Sequence, residues 1–144
     1  MQQNMASKIL IDANILIDFL LKRKDFEVSE RLLKNIFTNQ YKVFVTPAII
    51  HITAYWIKKS LGAAVSKIIL LELLNNIKVI DCDHKTAILA LSSKMTDVED
   101  ALQYYTALQH QLDFVITQDQ HFQKQAIPSL PIYSPQEFLT TFIE

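Results

Sequence analysis

Acidic residues stand where the apolar runs of this chain end. Asp12 closes Lys8-Ile9-Leu10-Ile11, Asp119 follows Phe114-Val115-Ile116 after two residues, and Asp97, Glu99 and Asp100 crowd the start of a helical stretch just before that second run. Short β-branched runs of this kind read as buried strands. In an open parallel sheet, ligands bind outside the carboxyl ends of the strands, and there these acids converge. Converging carboxylates repel one another, and the usual resolution is a hard divalent cation held by oxygen ligands. The chemistry that follows is metal-assisted: two such cations about 3.5–4 Å apart activate a water and stabilise the departing oxygen when a phosphodiester is hydrolysed.

Each acid also has a structural use. Asp12 at a strand end serves equally well as a turn or cap residue. Thr96-Asp97-Val98-Glu99 fits the T-x-x-E capping box, which makes Glu99 structural. The helix dipole accounts for Asp97 but reaches Asp100, a full turn in, only weakly. On a helical wheel Val98, Ala101, Leu102, Tyr105 and Leu108 form the face expected to be buried, with Asp97 at its margin and Asp100 farther round, both open to a rim cleft. Asp81-Cys82-Asp83-His84-Lys85-Thr86 has the outline of a D-x-D-x-T phosphatase loop, but its threonine is one position late, it lies mid-chain, and a helix cap explains Asp83. A receiver domain expects adjacent acids at its first site and a lysine after a late strand, where Thr117 is followed by Gln118.

The elements that carry these residues alternate. After the first strand, Ile15, Leu16, Phe19 and Leu20 recur at helical spacing, and past Lys22-Arg23-Lys24-Asp25 a second helix holds Leu32, Leu33, Ile36 and Phe37. Val43-Phe44-Val45 is a second strand, and Pro47 opens a helix that runs to Gly62. A further apolar helix spans 63–74, a third strand 77–80, and two more helices follow, the second from Thr96 to about His110. Phe114-Val115-Ile116 is the fourth strand, Pro128 and Pro131 mark an irregular stretch around a short fifth at Ile132-Tyr133, and Pro135 begins a terminal helix with Phe138, Leu139 and Phe142. Short apolar strands separated by helices predict one α/β domain over 1–144 with a central parallel sheet covered on both faces.

Composition narrows the chemistry. One glycine in 144 residues leaves neither G-x-G-x-x-G nor a P-loop, so glycine-loop nucleotide binding is excluded. A single cysteine, Cys82, permits no intrachain disulfide and no multi-cysteine zinc site. The opening Met1-Gln2-Gln3-Asn4 lacks the pattern of a signal peptide, and no apolar run reaches the roughly 18 residues that span a bilayer, so a cytoplasmic protein is expected. A net charge of −1 leaves any nucleic-acid contact to local patches such as Lys22-Arg23-Lys24, where Arg23 is the expected phosphate contact, and Lys58-Lys59.

Taken together, Ile9-Leu10-Ile11-Asp12-Ala13-Asn14 with Asp18, Asp97-Val98-Glu99-Asp100-Ala101-Leu102-Gln103, and Val115-Ile116-Thr117-Gln118-Asp119-Gln120-His121-Phe122 resemble the PIN-domain family of metal-dependent ribonucleases. The resemblance covers residues 8–139, in the family's motif order and spacing. It implies a three-layer α/β/α sandwich with four to five parallel strands, and Mg²⁺ or Mn²⁺ at the sheet's carboxyl edge. By position Asp12, Asp100 and Asp119 match the metal-site acids, and Asp97 joins them in the catalytic set. Asn14 falls where the family places a small polar residue beside the first acid, which implies a substrate contact there; helix capping would also explain the position. Asp18 matches a subgroup, or is a solvated helix residue. One departure stands out: Thr46 to Trp56, where the family carries an acid on the helix after strand two, has none. Such a chain either holds fewer metals tightly or is a degenerate member. His51 could substitute, and His121 replaces an acid in the closing motif.

The small free domain resembles VapC-type toxins, which implies RNA as substrate, an antitoxin protein as partner, and a homodimer. Consecutive Tyr55, Trp56 and Ile57 cannot all face one core, so the 48–59 helix is expected to contribute to the dimer contact or to the partner groove. The alternative is a catalytically inactive PIN-like domain that binds RNA or protein.

Overall fold

A computed structural model describes residues 6–38 and 41–144; the opening Met1-Gln2-Gln3-Asn4 lies outside them. Five strands form one sheet: β1 (Lys8–Ile11), β2 (Lys42–Val45), β3 (Ile77–Val79), β4 (Phe114–Ile116) and β5 (Ile132–Tyr133). All are parallel and the spatial order is β3-β2-β1-β4-β5. Leu10 of β1 stands opposite Phe44 on one side and Val115 on the other. Parallel strands need crossovers, and a sheet flanked by helices on both faces suits apolar runs such as Ile9-Leu10-Ile11, which is wholly buried. The order reverses between β1 and β4, so the crevice that open α/β sheets use for ligands opens where Asp12 and Thr117 leave their strands.

The helices are α1 (Ala13–Leu20), α2 (Phe26–Thr38), α3 (Pro47–Leu61), α4 (Ala63–Leu73), α5 (His84–Ser92), α6 (Val98–Gln109), α7 (Gln120–Gln123) and α8 (Pro135–Phe138), the last continued by a π-helical turn at Leu139–Ile143. Their starts follow the sequence closely. Thr46 caps α3 by accepting from the Ile49 N–H at 3.2 Å, with Pro47 in the first turn. Asp83 caps α5 from the Thr86 N–H at 2.8 Å, a structural use for the residue that shaped the phosphatase-like loop. Gly62 joins α3 to α4 at φ 90°, a backbone conformation that side-chain-bearing residues rarely adopt. No helix among the described residues is long and apolar enough to cross a membrane.

Three expectations change. Helix α6 begins at Val98 with Asp97 as its cap, so Thr96 and Glu99 form no capping box. Its buried side carries Asp100, Ala101, Gln103, Tyr104, Thr106 and Ala107, while Val98 is 56% exposed. Tyr104 turns that face inward: its hydroxyl donates to the Leu130 carbonyl at 2.7 Å and accepts from the Ile127 N–H at 2.8 Å, tying α6 to the chain before β5. Finally, the short helix α7 follows β4 directly, where only an irregular stretch was expected, because Asp119 caps it.

Candidate active site

Asp12 leaves β1 in extended conformation and caps α1, its Oδ1 accepting from the Ala13 N–H at 2.7 Å. Its other oxygen accepts from the Thr117 hydroxyl at 2.7 Å and from Asn14 Nδ2 at 3.3 Å. Thr117, wholly buried after β4, is the hub of this seam. Its Oγ1 also accepts from Asn14 Nδ2 and from the Asp119 N–H, each at 3.1 Å. Asn14 Oδ1 in turn accepts from the Gln118 N–H at 3.2 Å, so the Asn14 side chain bridges α1 and the loop after β4. Asp119 caps α7 through the N–H groups of His121 at 2.9 Å and Phe122 at 3.3 Å. The register of β1 against β4 sets Asp12 and Thr117 side by side.

The acids of α6 are held differently. Asp97 Oδ1 accepts from the Asp100 N–H at 2.9 Å. Asp100 itself is buried, and its carboxylate takes no hydrogen bond from a described residue. Burial, then the charges of Asp97, Asp12, Asp119 and Glu99, push its pKa up from 3.8 to about 7. Burial also raises the pKa of Asp12, opposed by the Thr117 and Ala13 hydrogen bonds and reinforced by Asp119 and Asp97. Glu99 is raised by partial burial and by Asp12 and Asp97. Five carboxylates therefore share one field, and no cationic side chain figures among the groups acting on Asp12 or Asp100. Among the described residues no three acid, histidine or cysteine side chains form a ready metal-binding group. The donor set is still all oxygen and uncompensated, which fits a hard divalent cation that would draw the carboxylates in.

Residues 8–121 match the PIN domain family. The chain belongs to that family. Solved structures share the fold of this PIN domain. VapBC2 from Rickettsia felis, bound to a DNA fragment from its promoter, aligns with a TM-score of 0.68 at 16% identity, covering 88% of this chain and 98% of that one. VapC20 from Mycobacterium tuberculosis, described as a sarcin-ricin-loop-cleaving toxin, aligns at 0.67 with 10% identity over 84% and 97%. DNA-bound VapBC from Salmonella typhimurium aligns at 0.62 with 19% identity over 90% and 98%. No curated protein sequence matches the chain.

The carboxyl edge of the PIN domain brings Asp12, Asn14, Asp97, Asp100 and Asp119 together, along with two residues that sequence reasoning assigned elsewhere or passed over. Glu99 belongs to the acidic field and makes no capping bond. Thr117 carried one signal, a hydroxyl directly after a strand, but its role depends on β4 lying beside β1, which sequence alone does not display. Arg23 has another environment. Its Nε is 4.0 Å from Asp18 Oδ1, and its guanidinium lies 5.6 Å from the centre of the Trp56 ring, which Lys59 also approaches at 5.4 Å. Asp18 is buried rather than solvated, and its pKa is raised by burial and Asp25 and lowered by Arg23, none of them site acids. His51 and His121 are exposed.

Proposed function

We propose that this PIN domain is a divalent-metal-dependent endoribonuclease, the toxin of a toxin–antitoxin pair. The observation that carries the reading is the convergence of Asp12, Asp97, Glu99, Asp100 and Asp119 on one edge with no described cation acting on the two buried ones. Asp12, Asp100 and Asp119 would hold Mg²⁺ or Mn²⁺. When bound, the metal supplies a nucleophilic water and charge stabilisation at the phosphodiester. Thr117 and Asn14 fix the Asp12 carboxylate, leaving its direction independent of the metal. Asp97 anchors the first turn of α6 and so sets where Asp100 stands. Arg23, half exposed beside Trp56, is a phosphate contact at the far end of α1.

RNA as substrate is supported by the likeness to VapC20, and an antitoxin partner by the likeness to the VapBC complexes. A homodimer draws support from apolar surface, though more from α4 and α5 than from α3. Beside Tyr55 and Trp56, the side chains of Val65, Ile68, Leu71, Ile88, Leu89 and Leu91 are exposed. The test is cleavage of an RNA panel by purified protein with Mg²⁺ or Mn²⁺ and with EDTA. Cleavage that needs the metal is expected. Cleavage indifferent to EDTA defeats the metal mechanism, and none with any metal leaves the inactive binding module as the reading. Light scattering of wild type and Ile68→Glu at tens of micromolar, a rough range that reveals micromolar association, tests the dimer; a monomeric wild type defeats it.

A further inference from the structure

Gln103 is 1% exposed, and both ends of its side-chain amide are buried with no hydrogen-bond partner among the described residues. Leaving a buried amide unpaired is costly, and such a group calls for an explanation. Gln103 lines a cavity of about 280 Å³ together with Thr46, Pro47, Ala48, Asp81 and Leu102. Thr46 follows β2, and Asp81 follows the segment after β3, so the cavity opens at the same carboxyl edge of the sheet as the acids. Helix α6 joins the two places. Asp100 and Gln103 are three residues apart and both on its buried side, roughly 4.5 Å of helix rise from one to the other.

We propose that this cavity is a base-recognition pocket: the Gln103 amide, closed to solvent in the free protein, turns into the cavity to read an unpaired nucleobase bearing an exocyclic amino group, adenine or cytosine, next to the phosphate held at the acids. The inference rests on the ribonuclease reading for its substrate. The volume lies just under the range of about 300–1,000 Å³ found for larger ligands, which suits a single base. An amide offers a donor and an acceptor side by side, the pattern that glutamine uses to read the amino group and ring nitrogen of adenine. Asp81 adds an acceptor-only group, which favours an amino-bearing edge and disfavours a phosphate. Pro47, Ala48 and Leu102 give the apolar lining that base faces pack against. Single-stranded RNA is read in this way, with bases splayed out and bonded on their edges.

The test uses uncharged nucleosides, so it depends on neither metal nor catalysis. Adenosine, cytidine and uridine are titrated into the folded wild-type protein while the Gln103 side-chain amide signals are followed by NMR. Adenosine or cytidine should move those signals and bind at least fivefold tighter than uridine. Gln103→Met should erase the difference without lowering the melting temperature, because it replaces an unpartnered amide with an apolar side chain of similar length. Three indistinguishable nucleosides, or no movement at Gln103, overturn the pocket. Should the variant fail to fold, the wild-type titration still decides. Discrimination by a protein that cleaves no RNA keeps the pocket and removes the nuclease reading; cleavage without discrimination does the reverse.

Discussion

The two halves of the acidic edge are built on opposite terms. At the seam between β1 and β4, every carboxylate has donors: Asp12 takes bonds from Ala13, Thr117 and Asn14, and Asp119 from His121 and Phe122. At the start of α6, Asp100 is equally buried yet has charges around it and no described donor. Hydrogen bonds to the charged form hold the Asp12 carboxylate in place and oppose the rise that burial gives its pKa, whereas Asp100 has no such bonds to set against desolvation and like charges. The seam is therefore scaffold and site at once, and the α6 acid is a charge that needs an outside partner. Mutation should separate these two.

The largest effect expected is on catalysis, where both halves fail together. Asp12→Asn, Asp100→Asn and Asp119→Asn should each lower RNA cleavage in Mg²⁺ by at least about a hundredfold, the scale on which a lost group that stabilises developing charge is felt. Initial rates under single-turnover conditions measure this. Full activity in Asp100→Asn would break the comparison, since the uncompensated acid would then have no chemical use.

Stability should split the halves. Thr117→Val removes the donor to Asp12 and the acceptor for Asn14 and the Asp119 N–H. Leaving such buried groups unpaired costs about 1–3 kcal/mol, or roughly 3–10 °C in melting temperature for a domain of this size. Asp100→Asn should do the opposite in EDTA at pH 8 and raise the melting temperature. The sign follows from linkage. A carboxyl whose folded pKa stands at about 7 against 3.8 contributes stability that is whole below pH 3.8 and lost as pH rises through 7. Metal-free wild type should thus weaken between pH 4 and 8, Asp100→Asn should flatten that slope, and added Mg²⁺ should restore more stability at pH 8 than at pH 5. Thermal melts across pH, with and without the metal, measure all three.

How much of this was legible in the sequence depends on range. The strands, Pro47 at a helix start, Asp83 as a cap and the acids at strand ends are local statements, carried by periodicity and turn chemistry. Thr117 as hub was not, because its bonds to Asp12 and Asn14 join residues more than a hundred positions apart. The rotation of α6 was missed for a different reason. The capping box at Thr96 and the cap at Asp97 differ by one residue, and the wheel follows apolar residues, placing Val98 and Leu102 inward where Asp100, Gln103 and Thr106 are buried. Tyr104, with a buried hydroxyl bonded on both sides, holds that polar-lined face inward. Asp18 looked like a surface residue by spacing and is covered in the fold, with Arg23 4.0 Å away.

The smallest expected effect tests that one-residue shift. If Glu99 closed a capping box, Glu99→Gln would leave stability unchanged, and Glu99→Ala would cost about 1 kcal/mol as capping groups do. In the fold, Glu99 bonds to no cap, while burial and the nearby Asp12 and Asp97 raise its pKa. Both substitutions should then act alike, each raising stability in EDTA by a few tenths of a kcal/mol, the scale of a largely exposed charge in water. Cleavage should stay within about threefold of wild type, and Mg²⁺ dependence should shift slightly towards higher concentration as one negative charge leaves the field. Asp97→Ala is the contrasting case, because it removes the oxygen that receives the Asp100 N–H and should cost the full 1 kcal/mol or so of a helix cap. Paired denaturant melts of the three variants give the answer. A loss in Glu99→Ala that Glu99→Gln does not share would return Glu99 to the cap and leave the acidic field one carboxylate poorer.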